Sequence, residues 1–435
     1  MTGAILDAVV VGAGPAGSAA ALELARAGKS VVLLERGPFP GSKNVYGGVI
    51  YGRVLDDVIP RWWEEVPVQR WVTRRSTMMM TPTQALTFDF RSDAWGRAPY
   101  NGMTAYRSDF DSWLAGHAVA AGAELITSTV ATGLLRDEGG AVVGVRTDRS
   151  DGDIRARVVI AADGVNSFLA KEVGLLPKSD PHHHTLGIKE VLHLPAHVIE
   201  DRFALGPQEG IDIEMLGTTR GMAGGGFLYT NHDTLSVGVV VEVDALAKSG
   251  VRPEELILDL KTHPAIAPLL RGAVLKEYSA HLIPEGGYNT MPELAIDGML
   301  LVGDAAGMCL AAGLWLEGVN FAIGSGLAAG RAAARAASSG DASALGLASY
   351  RRDLESSFVL KDHKRLRGAP NLVLSERVQQ KYPGMTADLV EALFSVNNPE
   401  PKPGVLKLLR QTAKRHDVRI TQLVRDGIRG GKVFR

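Results

Sequence analysis

Residues 5–35 read ILDAVVVGAGPAGSAAALELARAGKSVVLLE, and this stretch decides the fold. The apolar run Ala8 to Val11 predicts a strand buried on both faces, as in a parallel sheet. It leads into Gly12-Ala13-Gly14-Pro15-Ala16-Gly17, then an alanine-rich segment predicted to be helical to about Ala27, then a second apolar run, Val31 to Leu34, ending at Glu35. Each glycine has its own task. Gly12 permits the tight turn, Gly14 lets the backbone reach a pyrophosphate, and Gly17 lets helix and strand pack closely. Pro15 and Ala16 complete the turn, and the helix start offers free N–H groups and a positive dipole end to the phosphates. Glu35 stands 18 residues past Gly17, where a ribose-binding acid is expected, with Arg36 next to it. In a chain with 50 glycines a lone G-x-G-x-x-G is a weak signal. The strand before it, the helix after it and the acid at the second strand end make it specific for a dinucleotide. The competing reading is a structural turn in some other α/β protein.

The remaining bulk properties narrow the class. At 435 residues the chain is long enough for two or three domains. Hydrophobic residues at 46% and charged residues at 22% fit a water-soluble globular protein. A net charge of −1 gives no argument for nucleic acid. The turn at residue 12 leaves no expectation of a secretory leader, and no uncharged run reaches a membrane span, so any membrane contact is expected to be peripheral. One cysteine, Cys309, excludes an internal disulfide and a cysteine-ligated cluster within the chain. Its apolar neighbours point to an inert buried thiol and a reducing compartment.

Further along, Gly47-Gly48 within apolar residues suggests backbone passing close to something flat, or else a bulged strand. Residues 60–100 read as irregular strands holding Trp62, Trp63, Trp71, Met78, Met79, Met80 and Trp95, a core cluster or a lipid-facing edge. A helix is expected from Tyr106-Arg107 to about Ala121, capped by Ser108 or Asp109. Short strands follow on both sides of a turn at 137–140, and the buried run 158–162 ends in Asp163-Gly164. From 183 to 290 short β runs alternate with turns, an antiparallel sheet inserted as a substrate wall. His182-His183-His184 reads as an exposed loop, and no metal site is expected. Strand character returns at 299–302 before Gly303-Asp304, and after Gly318-Val319-Asn320 a long Ala/Gly helix is expected to stop at Gly340. Residues 343–435 are helical in pattern. From Pro401 onward they carry ten Lys and Arg against Asp417 and Asp426, a solvated face or a docking surface for an acidic partner or anionic lipid.

The expected layout is an FAD-binding Rossmann-like α/β domain in two parts, 1–182 (with the irregular insertion at about 45–100) and 291–342. An inserted antiparallel sheet domain at 183–290 and a helical basic region at 343–435 complete it. Three strand ends, Gly12–Gly17, Asp163-Gly164 and Gly303-Asp304, point to one crevice, because strand carboxyl ends of a parallel sheet line one edge. Together they resemble the glutathione-reductase-type FAD fold, in the branch of hydroxybenzoate hydroxylase and geranylgeranyl reductase. The resemblance implies that Arg107, in an R-x-x-F-D-x-x-L helix, contacts FAD and that Asp304 holds the ribityl chain. It puts Gly318, Val319 and Asn320 at a helix start under the flavin, whose positive end favours an anionic ring. Val130 is included among the cofactor contacts.

Within that branch, Ser42-Lys43-Asn44 with Gly47-Gly48, Gly224–Tyr229, Leu360-Lys361-Asp362-His363 and Arg425-Asp426-Gly427 resemble the FixC family over essentially the whole chain. That family is similar to electron-transfer-flavoprotein:quinone oxidoreductase. The resemblance implies non-covalent FAD, electrons from an electron-transfer flavoprotein (FixA and FixB), a FixX ferredoxin-like subunit with a [4Fe–4S] cluster, and a quinone acceptor. It also implies a peripheral place on the cytoplasmic face of the cell membrane and allows an electron-bifurcating complex. On this reading Gly47 and Gly48, with the 224–226 glycines, would let a planar quinone approach, and Tyr229 is the candidate hydrogen-bond donor to it. Two alternatives are a class A flavin monooxygenase, for which no nicotinamide site is visible, and a geranylgeranyl reductase, whose Tyr-x-Trp-x-Phe-Pro signature is replaced here by Gly226-Phe227-Leu228-Tyr229-Thr230-Asn231. A third is a flavin-bearing scaffold without activity.

Overall fold

The computed structural model describes residues 5–43, 47–150, 152–176, 184–313 and 316–435. The chain divides into two compact units. Met1–Pro67, Ala105–His183 and Ile283–Arg367 form the first; Val68–Thr104, His184–Leu282 and Gly368–Arg435 form the second.

The first unit is built on parallel strands. Leu6–Val11 lies between Ile154–Ala161 and Val31–Leu34, with Met299–Leu301 and Glu124–Ile126 outside them. Val9, Val10, Leu33, Val159, Ile160 and Leu300 are completely buried. Strands covered on both faces need near-continuous apolar runs, which is why these segments read so clearly. The helix Pro15–Arg26 packs against the long helix Val319–Ser339. Their contact is backbone-close, since a Cβ on Gly326 would stand 2.1 Å from the Ala16 carbonyl oxygen. The long helix ends as expected, with Gly340 left-handed at φ 73°. Tyr350, in the helix Ser349–Ser356, is fully buried and donates its hydroxyl to the Leu301 carbonyl at 2.8 Å.

The second unit holds a mixed sheet. Its strands run, in order, Val274–Pro284, His184–His193, Thr234–Glu242, Gly224–Thr230, Glu209–Leu216 and Arg70–Met80, with Ala85–Arg91 and Met103–Tyr106 both paired to the last. One face packs Ile188, Ile213, Leu228 and Val239 against Leu256 and Leu260 of the helix Pro253–Thr262. Side chains alternate along a strand, so the neighbouring positions of the same strands form the other face.

The division departs from the sequence-based one in two places. Residues 68–104, expected as an irregular part of the first domain, join the second unit because Arg70–Met80 pairs in parallel with Glu209–Leu216. That pairing crosses more than a hundred residues and leaves no local mark. The C-terminal helices also divide, those to Arg367 going with the first unit and the rest with the second. Trp62, Trp71 and Met80 are buried, as the core reading of the Trp/Met cluster expects, while Phe88 and Phe90 on the adjoining strand are exposed. His184 begins a strand, whereas His182 and His183 lie outside the described residues. Among the described residues no cluster of three metal-ligating side chains occurs.

Candidate functional site

The three glycine-acid corners of the first unit meet. Gly12 has φ 105°, and a Cβ there would fall 2.4 Å from the Ala162 carbonyl oxygen, just before Asp163. A Cβ on Gly17 would fall 1.9 Å from the Gly12 carbonyl oxygen and 3.2 Å from Ala162 Cβ. Gly303, next to Asp304, is less tight but still close, its Cβ position 3.0 Å from Ala16 Cβ. Residues separated by about 300 positions are thus in van der Waals contact around one turn. Gly164, at φ 79°, completes the bend after Asp163.

Around this turn the polar groups are ordered by the fold. Glu35 accepts from the Ala13 N–H at 3.2 Å through Oε2 and from the Gly37 N–H at 2.7 Å through Oε1, tying the second strand end to the glycine turn. Arg36 is exposed beside it. The Thr129 N–H donates to the Glu35 carbonyl at 3.0 Å, which sets the 128–130 loop beside the same corner. Val130 is exposed there, and its N–H donates to Asp148 at 2.9 Å. Arg107 begins the helix Arg107–Ala120 and places its Nη2 3.9 Å from the Gly14 Cβ position. Its guanidinium donates through Nε and Nη2 to both oxygens of Asp111, at 2.8 and 2.9 Å. Asp111 is 1% exposed; burial pushes its carboxyl up from the usual aspartate range, and Arg107 opposes that shift. The sequence motif contained this aspartate, yet its part as the anchor of Arg107 was missed. The expected cap is also corrected: Tyr106 occupies the N-cap, and neither Ser108 nor Asp109 caps the helix.

FAD fits this set of donors and acceptors. The helices Pro15–Arg26 and Val319–Ser339 both start without a side-chain cap, at Gly14 and Gly318, leaving backbone N–H groups for an anion. Among the buried acceptors of the described residues that lack protein partners are two of this cradle, Asp163 Oδ1 and Asn320 Oδ1. Each suits a donor group on a bound ligand, since a buried acceptor without one is costly. Burial raises the Asp163 carboxyl, against donated bonds from Ser167 and the Leu169 N–H. Asp304 sits in the turn Gly303–Ala306 and Val319 opens the long helix. Desolvation and then Asp304, Glu285 and Glu317 push the thiol of the half-buried Cys309 well above its ordinary value, which disfavours the reactive thiolate.

The other predicted residues are placed separately. Gly47 and Gly48 open the strand Gly47–Ile50 of the first unit. Tyr229 lies in the second unit, its ring stacked on Phe227 with centroids 4.9 Å apart. The glycines at 224–226 have a reason within the sheet itself. A Cβ on Gly224 would fall 2.0 Å from the Val240 carbonyl oxygen, and one on Gly225 2.6 Å from that of Met215. Close strand packing, not an open wall for a ring, accounts for these two. Asp426 of the Arg-Asp-Gly stretch is structural as well: it accepts from Arg377 through both oxygens, at 2.6 and 2.8 Å, and from the Tyr382 hydroxyl at 2.6 Å.

A family model for an FAD binding domain matches residues 6–205. Over 98% of both chains the protein is 41% identical to the "Probable electron transfer flavoprotein-quinone oxidoreductase YdiS" of Escherichia coli (strain K12). It is also 41% identical to "Protein FixC" of Escherichia coli O157:H7, over 99% of both chains. Among solved structures, a geranylgeranyl bacteriochlorophyll reductase-like protein from Thermoplasma acidophilum superposes with a TM-score of 0.71 at 21% identity, covering 95% of this chain and 98% of that one. The flavin-dependent brominase Bmp2 gives 0.67 at 18%, covering 95% and 99%. At such identities these two show the fold alone. The near-full-length likeness to FixC and YdiS, with the fitted cradle, places this chain in the FixC family of FAD-dependent oxidoreductases.

Proposed function

We propose that this flavoprotein takes electrons from an electron-transfer flavoprotein of the FixA/FixB kind, with a FixX-like [4Fe–4S] subunit, and passes them to membrane quinone. The observation that carries this reading is the 41% identity, over nearly the whole chain, to a protein named as an electron-transfer flavoprotein-quinone oxidoreductase. Bound FAD supplies the redox chemistry, taking up and releasing an electron pair. The chain's own residues bind and orient it: Arg107, held by Asp111, meets the pyrophosphate, Glu35 the ribose, and Asp163, Asp304 and Asn320 the remaining polar groups. Gly47 and Gly48 are proposed to meet the quinone ring. Membership of an electron-bifurcating complex belongs to the same reading.

A peripheral place on the cytoplasmic face of the membrane belongs to the same proposal, and the surface of the C-terminal helices supports its peripheral part. Among the described residues no helix is long and apolar enough to cross a membrane. The C-terminal helices Val405–Arg415 and Ile420–Val433 expose Val405, Leu406, Val424 and Ile428 among lysines and arginines. The test is reduction of the purified holoprotein by a reduced electron-transfer flavoprotein, followed by addition of a short-tail quinone. Quinol formation at catalytic rate is the expected result. NADPH consumption with an aromatic substrate, and none with quinone, would instead give the monooxygenase.

A further inference from the structure

The two C-terminal helices of the second unit carry apolar residues on two sides, and one of those sides has no partner among the described residues. On the inner side Ala413 and Val418 are buried with Met385, and Tyr382 and Leu423 pack against them. The helix Ile420–Val433 is also held by a polar clamp: Asp426, 8% exposed, accepts from Arg377 and from the Tyr382 hydroxyl. Val424 and Ile428 stand two residues to either side of Asp426, which on a helix is a turn of about 200°. They therefore lie on the opposite face, and each is 57% exposed. Ile420, one turn before Val424, extends the same stripe. The glycines mark the open side independently. A Cβ on Gly427 or Gly431 would meet nothing within 4 Å, whereas one on Gly430 would stand 3.6 Å from Leu372. The preceding helix Val405–Arg415 adds Val405 and Leu406 at its start, both more than half exposed.

The charge around this stripe has one sign. Arg425 and Arg429 each follow a stripe residue by one position, and Lys432 follows Ile428 by one turn, so they border it along one side. Lys407, Arg410 and Lys414 stand on the preceding helix. Of these six, Arg425 acts on Asp426, and the other five make no ion pair among the described residues. In a chain of net charge −1 this is a local concentration of cations. A row of apolar side chains flanked by cations suits a surface that offers both an acyl layer and anionic headgroups. A second copy of this chain suits it poorly, because a two-fold contact would set the same cations against one another.

We infer that this face of the helices Val405–Arg415 and Ile420–Val433 docks on the bilayer and selects anionic lipid. Ile420, Val424 and Ile428 enter the acyl boundary, while Arg425, Arg429 and Lys432 meet the phosphodiester headgroups. The inference rests on the peripheral placement proposed above and deepens it, by naming the surface and the headgroup chemistry. The clamp at Asp426 is what turns the stripe outward.

The experiment floats the purified holoprotein with vesicles of phosphatidylcholine alone, or with about one-third phosphatidylglycerol. The parent should bind the anionic vesicles, roughly tenfold or more above phosphatidylcholine alone, and should come off as salt shortens the Debye length. Arg425→Gln with Arg429→Gln should lower the partition coefficient roughly thirtyfold, about fivefold for each cation. Val424→Ser with Ile428→Ser should lower it about tenfold or more. Bound flavin and urea midpoint should match the parent in both variants, since all four side chains are exposed. No vesicle binding by the parent, equal binding to the two vesicle types, or unchanged binding in both variants overturns the inference. So does a parent that is dimeric without lipid and becomes monomeric in the Val424→Ser, Ile428→Ser variant, which would give the face to a second copy. Reduction of a short-tail quinone in solution is read separately. It survives if the docking surface alone is wrong, and it fails if the proposed reaction is wrong, whatever the vesicles show.

Discussion

The two units encode their important residues differently. In the first, a strand, a glycine turn, a helix and an acid lie within residues 5–35, and two similar corners recur at 163–164 and 303–304. Each corner is locally legible, and parallel-sheet geometry alone brings the three together. In the second, Arg75 lies more than 130 residues before its partners Asp212 and Glu214, and nothing local marks any of the three. Backbone-shaped function is written in glycine spacing, whereas side-chain clusters on a mixed sheet are fixed by register between remote strands.

Substitutions can break this contrast. The largest effect is expected at Gly17→Ala. With Cβ 1.9 Å from the Gly12 oxygen the turn must open, and FAD affinity should fall by roughly a hundredfold, equivalent to the ~3 kcal/mol upper range of overpacking strain. Flavin fluorescence titration measures this. Arg107→Ala comes next: it strands the buried Asp111 carboxylate and should cost ~3 kcal/mol in a urea melt as well as weakening FAD. Adding Asp111→Asn should restore part of the stability but not the affinity. If the double variant binds FAD like the parent, Arg107 is only a packing group.

Gly224→Ala tests the other side of the comparison. At φ 149° and against the Val240 oxygen, a methyl group should cost ~2 kcal/mol of stability, while the flavin-to-protein ratio stays unchanged. Loss of flavin with intact stability would return this glycine to the ligand. The smallest effect is expected at Asp426→Asn, ~1–2 kcal/mol, because Arg377 keeps a neutral acceptor. Its pH dependence is distinctive. Hydrogen bonding from Arg377 holds the Asp426 carboxyl down at about 2, below the ordinary 3.8. A depressed carboxyl stabilises the fold above its unfolded value and ceases to do so as pH falls through the folded one. The gap between parent and variant in urea midpoint should therefore be constant above about pH 5 and close between pH 4 and 2.

How far the sequence reached follows the same line. The Gly12–Gly17 turn, the Gly340 stop and the buried Val158–Ala161 run were readable because each depends on backbone conformation or burial within a few residues. Placing 68–104 in the first domain failed because sheet membership depends on a partner strand far along the chain. Gly224 and Gly225 are demanded by neighbouring strands, and such a glycine looks in sequence like one demanded by a ligand. Asp111 was visible in its motif, yet only its two bonds to Arg107 reveal what it does. The trio of Arg75, Asp212 and Glu214 gave no signal that one sequence could carry.

The most direct measurement is the cofactor content of the purified chain, read from its visible absorbance and followed by titration of the stripped protein with FAD and with FMN. The account requires yellow protein that rebinds about one FAD per chain and discriminates against FMN, because in the proposed assignment the glycine turn, Arg107 and Glu35 would grip the pyrophosphate and adenosine half that FMN lacks. A colourless chain that takes up neither flavin, or one that binds both equally, would contradict the cradle on which every later step stands.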